Sequence, residues 1–100
     1  MDFEWDERKR KANLKKHGFD FEDAEQVFEG ITVTYEDDRE DYGEVRFITL
    51  GLLDDLIVYI VHTERDDNIR IISMRKALSY ETDFFFQEIS YGLESGESDD

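Results

Sequence analysis

Residues 56–63 have the sequence Leu-Ile-Val-Tyr-Ile-Val-His-Thr. Apolar side chains occupy both alternating sets of positions, whereas a strand with one solvated face alternates between apolar and polar residues. The segment is also rich in β-branched side chains, which favour strands. We therefore predict a strand that is buried on both faces and lies at the centre of a sheet.

Further strands are predicted on both sides of this segment. Asp54 and Asp55 mark a turn after a strand at 44–50, and residues 65–68 have the composition of a hairpin turn before a strand at 69–75. Earlier in the chain, the β-branched segment 31–35 and the short alternating segment 3–5 are also predicted to be strands.

Capping residues predict three helices. Asp6, Asp20 and Ser79 are suitable N-caps, and Gly18 and Gly30 are suitable stops for the first two helices. The predicted helices run to His17, Phe28 and Tyr91. The first has few apolar residues, so we expect only a narrow buried stripe of Trp5, Ala12 and Leu14.

The resulting order of elements, β-α-α-β-β-β-β-α, predicts the fold class. We expect an α+β domain with a small, mainly antiparallel sheet of four to five strands, two N-terminal helices and one C-terminal helix. The chain of 100 residues fits one such domain, which we place at residues 1–91. Residues 92–100 are polar and acidic, and we expect them to be a disordered tail.

Charge is unevenly distributed along the chain. The net charge is −15, which disfavours nucleic acid and anionic membranes as partners of the surface as a whole. Residues 1–18, however, contain six basic and four acidic side chains, whereas residues 19–44 contain eleven acidic and one basic. Adaptation to high salt is one explanation for the acidity, and a local basic cleft within an acidic exterior remains compatible with it.

The chain contains no cysteine and no long apolar run. Disulfides, cysteine-based zinc sites and thiol catalysis are therefore excluded. The N-terminal residues lack the pattern of a signal peptide, so we expect a cytoplasmic protein. Two distant histidines and several acidic pairs match no metal-binding spacing, and we predict neither a metal nor a cofactor.

Four arginines lie on or beside the predicted sheet: Arg46, Arg65, Arg70 and Arg75. Strict alternation in the last strand puts Arg75 on the face of Ile69 and Ile71, with Arg70 on the other. A guanidinium matches phosphate oxygens bidentately, so a phosphate clamp is one interpretation. Structural ion pairs with the abundant carboxylates are the alternative.

Other candidate residues also have two interpretations. Lys16 and His17 end the basic helix, where they either bind phosphate and move a proton or complement the helix dipole. Glu81 lies in the first turn of the last helix and is either a general base, an orienting partner of an arginine, or favourable charge near the dipole. We interpret His62 as a core-edge histidine.

The last helix carries consecutive aromatic residues. Three adjacent side chains span about 200° of a helix, so one face can meet the sheet while the remainder is left to contact a partner protein or a second copy of the chain. Burial of the helix in its own core is the alternative. The candidate interface residues are Phe84, Phe85, Phe86 and Ile89.

Short motifs follow one another in a specific order along residues 2–85. They are Phe3-Glu4-Trp5-Asp6, Lys11-x-Asn13-Leu14-x-Lys16-His17-Gly18, Phe21-x-x-Ala24-x-x-Val27-Phe28, Gly43-Glu44-x-Arg46, Gly51, Val61-x-Thr63-x-Arg65, Ile69-Arg70-Ile71-Ile72-Ser73-x-Arg75-x-Ala77 and Glu81. Taken together, the chain resembles the BrnT family, the toxins of BrnT/BrnA type II toxin–antitoxin modules. It departs from the family pattern at Asp54-Asp55, Thr82 and Phe85.

The resemblance implies a fold and a function. It implies a RelE-like ribonuclease fold and metal-independent RNA cleavage that inhibits translation. It also implies neutralisation by a BrnA-like antitoxin with a ribbon-helix-helix DNA-binding domain, so that DNA is contacted only through the antitoxin. Such pairs usually form higher oligomers, so the toxin is a possible homo-oligomer.

Metal-free RNA cleavage requires a base for the ribose 2′-OH, an acid for the leaving 5′ oxygen, and cations for the charge that develops at phosphorus. Arg65, Arg70 and Arg75 are our candidates for the cations, with Lys16 and Arg46 as RNA-binding residues. The base stays open between Glu81 and His17, and the acid stays open between His17 and an arginine. Two other functions remain: a non-catalytic protein of the same fold that binds a partner, and an acidic mimic of nucleic acid.

Overall fold

The structure, a computed structural model, describes residues 2–98, with side chains described for residues 2–92. The elements follow the predicted order. They are β1 (Phe3–Trp5), α1 (Glu7–His17), a 3₁₀ turn (Phe21–Asp23), α2 (Ala24–Glu29), β2 (Thr32–Glu36), β3 (Arg46–Leu53), β4 (Leu56–Arg65), β5 (Asn68–Lys76) and α3 (Ser79–Ser98).

The five strands form one sheet in the order β1-β5-β4-β3-β2. β2 through β5 pair antiparallel with their neighbours, and β1 pairs parallel with β5. The predicted α+β class with a mainly antiparallel sheet is thus confirmed. β4 lies at the centre, as the apolar character of both its faces predicts.

Each face of the sheet has its own core. One face packs against the 3₁₀ turn and α2, with the buried residues Phe21, Ala24, Val27, Leu53, Val58, Ile60, Ile69, Ile71 and Met74. We call this the α2 face. The opposite face, which we call the α3 face, packs against α3 with the buried residues Ile48, Leu50, Ile57, Tyr59, Val61, Ala77 and Phe85.

α1 is held to the sheet by an amide and not by the predicted apolar stripe. Ala12 is exposed and Leu14 is 41% exposed, whereas Asn13 is buried. The Asn13 amide donates to the carbonyl of Met74 (2.9 Å), and its Oδ1 accepts from the N–H of Met74 (3.1 Å). The stripe prediction was wrong for Ala12 and Leu14, because a single amide can satisfy the backbone at this edge of β5, where β1 has already ended. Trp5 is partly buried and packs against the core of the α2 face.

A bulge in β5 changes which residues share a face. The register with β4 shifts between Val61 and His62, so Ile72 has no partner in the β4–β5 register. Met74 consequently joins Ile69 and Ile71 in the core of the α2 face, and Arg75 points to the α3 face. The predicted parity was wrong for Arg75, because one extra residue reverses the alternation beyond it.

The end of α3 and the burial of Asp37 also differ from prediction. α3 continues to Ser98 and does not end at Tyr91, because Gly92 does not adopt the left-handed conformation of a capping glycine and the helix runs through it. Asp99 and Asp100 lie outside the described residues. Residues 36–42 contain five acidic side chains, a composition that predicts a solvated loop, yet Asp37 is 5% exposed. Within residues 2–98, no helix is both long and apolar enough to cross a membrane.

Candidate active site

A cleft of about 240 Å³ opens on the α3 face, between the end of β2 and the start of α3. β3 and β4 form its floor, β5 provides one wall, and the segment after β2 provides the other. Its lining contains two guanidinium groups and three tyrosine rings together with carboxylates. The lining residues are Tyr35, Glu36, Asp37, Asp38, Arg39, Ile48, Tyr59, Arg75, Tyr80 and Glu81.

Arg75 and Glu81 form the polar centre of the cleft. The Arg75 guanidinium donates from Nη1 and Nη2 to the two oxygens of Glu81, at 2.8 and 3.0 Å. It also donates to the carbonyl of Lys76 and lies over the ring of Tyr59, 3.7 Å from the ring centroid. The ion pair with Glu81 raises the pKa of Arg75, so the guanidinium is always charged.

Glu81 is positioned by the start of α3. It is the third residue of the helix and accepts from the N–H of Leu78 at 2.7 Å, the geometry of a capping box. Burial opposes ionisation of this carboxyl, but the hydrogen bonds from Arg75 and from the Leu78 N–H outweigh burial. The pKa of Glu81 consequently lies below its ordinary value. In this state the carboxylate is charged and is a weak base.

Two tyrosines supply hydroxyl groups to the cleft. Tyr59 is 4% exposed and Tyr35 is partly buried. Burial raises the pKa of Tyr35 to about 12 and also raises the pKa of Tyr59. Both hydroxyls are therefore protonated at neutral pH and can donate a hydrogen bond to a negatively charged oxygen.

Tyr80 lies at the cleft's mouth and is 70% exposed. An exposed aromatic ring beside a cleft that contains guanidinium groups is suited to stack on a base.

Arg46, Arg65 and Arg70 lie on the α3 face but outside this cleft. By register Arg46 is opposite Thr63, and Thr63 is opposite Arg70. This row crosses β4 four residues beyond Tyr59, which corresponds to about 13 Å along the strand. Arg70 donates to Glu4 (2.7 Å), and Arg46 donates to Glu44 (3.2 Å) while lying over the ring of Tyr42.

Lys16 and His17 are not brought to the cleft. Both are exposed at the end of α1, and neither lines the cleft that Arg75 and Glu81 line. The structure therefore joins only two of the five residues proposed as catalytic, Arg75 and Glu81.

The comparisons with known proteins can be placed beside this geometry. A family model described as the ribonuclease toxin BrnT of type II toxin–antitoxin systems matches residues 5–81. The chain belongs to this family. No curated protein matches the chain. The matched region runs from Trp5 to Glu81, so it includes β2 to β5 in full, only the last residue of β1, and both members of the Arg75–Glu81 pair.

The aromatic residues of α3 in this BrnT family member divide into two groups. Phe85 is 3% exposed, and Ile89 packs beside it in the core of the α3 face. These two residues are used by the chain itself, which narrows the predicted partner surface. Phe84 and Phe86 are 37% and 53% exposed, although Phe84 also contacts the ring of Tyr35 edge-on.

His62 is buried on the α2 face. Its Nε2 is 2.7 Å from Thr49 Oγ1, and its ring packs against Phe28 and Phe47. Burial lowers the pKa of His62 to about 4, so the ring is neutral at pH 7. Its Nδ1 has no hydrogen-bond partner among the described residues. Side chains of residues 2–92 also form no cluster of three or more potential metal ligands.

Sequence reasoning missed the tyrosines and the segment after β2. Tyr35 and Tyr59 share strand parity with apolar core residues, which concealed their access to a cleft. Asp37 and Arg39 lie within an acidic run that is typical of a solvated loop. A basic residue two positions after an acidic one was the available signal for that pair.

Proposed function

We propose that this protein is an endoribonuclease whose active site is the cleft around Arg75 and Glu81. The observation that carries the proposal is the bidentate Arg75–Glu81 ion pair, which places a permanent cation and a carboxylate side by side in one cleft. Membership of a family of ribonuclease toxins supports RNA as the substrate.

In the proposed reaction, a phosphodiester of single-stranded RNA takes the place of Glu81 on the Arg75 guanidinium. Loss of that hydrogen-bonded partner raises the pKa of Glu81, so the carboxylate becomes a better base. Glu81 then takes the proton of the ribose 2′-OH, and the 2′ oxygen attacks phosphorus. The bond from phosphorus to the 5′ oxygen breaks, leaving a 2′,3′-cyclic phosphate.

The developing charge and the leaving group need separate partners. Arg75 stabilises the charge on the phosphate oxygens, where a preorganised donor contributes about 10²–10³ in rate. The ring of Tyr59 lies beneath the Arg75 guanidinium, and its hydroxyl supplies a proton to the departing 5′ oxygen and regains one from water. Guanidinium, carboxylate and phenol together supply charge, base and acid, so we propose that cleavage needs no metal ion.

Arg46, Arg65 and Arg70 place further guanidinium groups on the α3 face beyond the cleft. We propose that they bind the RNA backbone on one side of the cleaved bond. Because they lie outside the cleft, we propose only a binding role for them and keep Arg75 as the cation at the reacting phosphate. Lys16 and His17 keep, at most, a role in steering RNA from the end of α1.

The test is cleavage of an end-labelled single-stranded RNA in EDTA by the isolated protein. We expect wild type and Arg8→Ala to cleave equally, because Arg8 is exposed on α1 and does not line the cleft. Arg75→Ala and Glu81→Gln should each lose at least a hundredfold in rate. Equal cleavage by Arg75→Ala and wild type would contradict the assignment of this cleft as the active site.

We further propose that the toxin acts in the cytoplasm, inhibits translation, and is neutralised by a BrnA-like ribbon-helix-helix antitoxin. The exposed rings of Phe84, Phe86 and Tyr91 on α3 support a protein partner on this helix. Apolar patches of this kind mark interaction sites. A non-catalytic binding protein is the second candidate function, and the same rings favour it.

Binding of the co-expressed antitoxin tests the partner surface. Phe86→Asp should weaken the complex more than tenfold, because a carboxylate would be buried against an apolar partner. Ile31→Asp is the matched control, since Ile31 is 68% exposed and lies between α2 and β2, not on α3. Equal affinity of the two variants would assign the antitoxin to another surface.

A further inference from the structure

The segment after β2 delivers a second guanidinium to the cleft. Asp37, the first residue after β2, has a fully buried side chain. Its carboxylate accepts from Nε and Nη2 of Arg39 at 2.6 and 2.7 Å, from the Arg39 N–H at 3.3 Å, and from the hydroxyl of Tyr42 at 3.2 Å. The N–H of Asp37 itself donates to the carbonyl of Arg46 at 2.8 Å. The carboxylate is therefore fixed in place, and Arg39 with it.

Arg39 is held but not enclosed. Its side chain remains 58% exposed, and its Nη1 makes no hydrogen bond to the described residues. Arg75 is similar: Glu81 and Lys76 occupy its Nη1 and Nη2, which leaves Nε without a partner among those residues. Each guanidinium is thus oriented by a carboxylate and keeps a free N–H.

The two guanidiniums lie on two sides of one cleft. Arg75 comes from β5 and Arg39 from the end of β2, with β4 and β3 between them in the sheet. The positive charges of both side chains act on Tyr59 and on Glu81. A ligand that reaches Tyr59 and Glu81 therefore meets two cations, each paired with a carboxylate, Asp37 or Glu81.

We infer that Arg39 and Arg75 form a clamp for the phosphodiester backbone of single-stranded RNA, with Asp37 as the residue that positions Arg39. The inference rests on the proposed function and adds a second phosphate-binding side chain to it. A guanidinium fork fits phosphate oxygens bidentately, and fixing it in advance reduces the entropy lost on binding. The alternative is that Arg39 only fixes the conformation of the acidic segment after β2.

A phosphate-binding role and a purely structural role of Arg39 differ in their effect on the salt dependence of RNA binding. Each neutralised phosphate contributes about 0.7 to the slope of log K against log salt for single strands. The probe is a fluorescein-labelled 12-nucleotide RNA with 2′-O-methyl riboses, which cannot be cleaved, and affinity is measured by anisotropy across a salt series. Arg39→Ala should bind at least tenfold more weakly and reduce the slope by about 0.7. Arg8→Ala, the matched control, removes the same charge from α1 and should leave the slope unchanged.

A second pair of variants separates binding from folding and from net charge. Arg39→Ala leaves the buried Asp37 carboxylate unpaired, so the double variant Asp37→Asn, Arg39→Ala is made alongside it; this variant has the net charge of wild type. We expect its melting temperature to be close to that of wild type. We expect the slope of log K against log salt to fall by the same amount as in Arg39→Ala. Arg39→Lys keeps the charge but not the fork, so we expect the slope to be retained and cleavage to fall at least tenfold.

The outcomes distinguish this inference from the proposed function. Wild-type slope and affinity in the folded double variant would overturn the clamp, whether or not the protein cleaves RNA. If Arg75→Ala abolishes cleavage while the double variant cleaves like wild type, the clamp is likewise wrong and the proposed function stands. RNA binding with the expected slopes but without cleavage by wild type would support the clamp and overturn the ribonuclease assignment.

Discussion

The two faces of the sheet differ in how completely their helices cover them. On the α2 face, apolar residues of the 3₁₀ turn and α2 pack against apolar residues of four strands and cover the sheet. The buried His62 on this face is neutral. On the α3 face, the helix covers a second apolar cluster but leaves an open cleft beside it. Charged and phenolic groups collect at this cleft. The closed face therefore supplies much of the apolar burial, whereas the open face carries the cleft that we propose as the active site.

The largest effect on stability is expected from the closed face. Ile60 is fully buried on the α2 face, so Ile60→Ala removes apolar contacts and leaves a cavity. We expect a loss of about 4 kcal/mol in the free energy of unfolding, measured by urea denaturation. Leu52→Ala is the control, because Leu52 is 54% exposed, and it should cost well under 1 kcal/mol. Similar losses of unfolding free energy in both variants would contradict the expectation that the buried core of the α2 face contributes most to stability.

The next effect concerns the edge of β5. Asn13→Ala removes three hydrogen bonds, two of them to the backbone of Met74. Leaving buried backbone groups unsatisfied should cost about 3 kcal/mol. Urea denaturation measures the loss, and Gln26→Ala, at an exposed position of α2, is the control. If Asn13→Ala is as stable as the control, α1 is held by other contacts.

A smaller effect on the closed face depends on pH. Burial holds the pKa of His62 at about 4, below the ordinary value of 6.5, so the unfolded state binds a proton more readily as pH falls through 6.5. Between pH 7 and pH 5, where carboxylates remain ionised, this should remove about 2 kcal/mol of stability. His62→Gln should remove most of this dependence, whereas His17→Gln, at an exposed position, should retain it. The reverse pattern would assign the titration to His17.

The smallest stability effect is expected in the cleft. Glu81→Gln keeps the shape of the side chain, and Arg75 is exposed enough to be hydrated, so we expect a loss of about 1 kcal/mol at pH 7. Because the pKa of Glu81 is lowered, this contribution is complete above the ordinary carboxyl pKa and disappears as pH falls below it. Glu88→Gln, at an exposed position of α3, is the control. A loss as large as that of Ile60→Ala would mean that the pair is chiefly structural.

Local pattern was sufficient for most elements and insufficient for the site. β4 was predictable because its apolar residues occupy both parities, and α1 was predictable from Asp6 and Gly18. The cap geometry of the structure confirms this, since the Asp6 carboxylate accepts from two backbone N–H groups. The facing of Arg75 was not predictable, because a bulge depends on how two strands pair.

The candidate site was predicted only in part for a related reason. Arg75 and Glu81 are six residues apart and meet because α3 begins directly after β5. Arg39 and Tyr59 reach the same cleft from segments distant in sequence, so no spacing connects them to Arg75. His17 was proposed from its chemistry alone, and α1 holds it away from this cleft.

The amino-acid sequence by itself determined the order of helices and strands, the central position of β4, and membership of the BrnT family. These follow from periodicity, capping residues and motif order, which are local or linear properties of the chain. Only the tertiary structure decided which arginine joins Glu81, which aromatic residues of α3 are buried, and that Asp37 holds Arg39. Those outcomes depend on strand register and on packing between distant segments, which linear patterns do not specify.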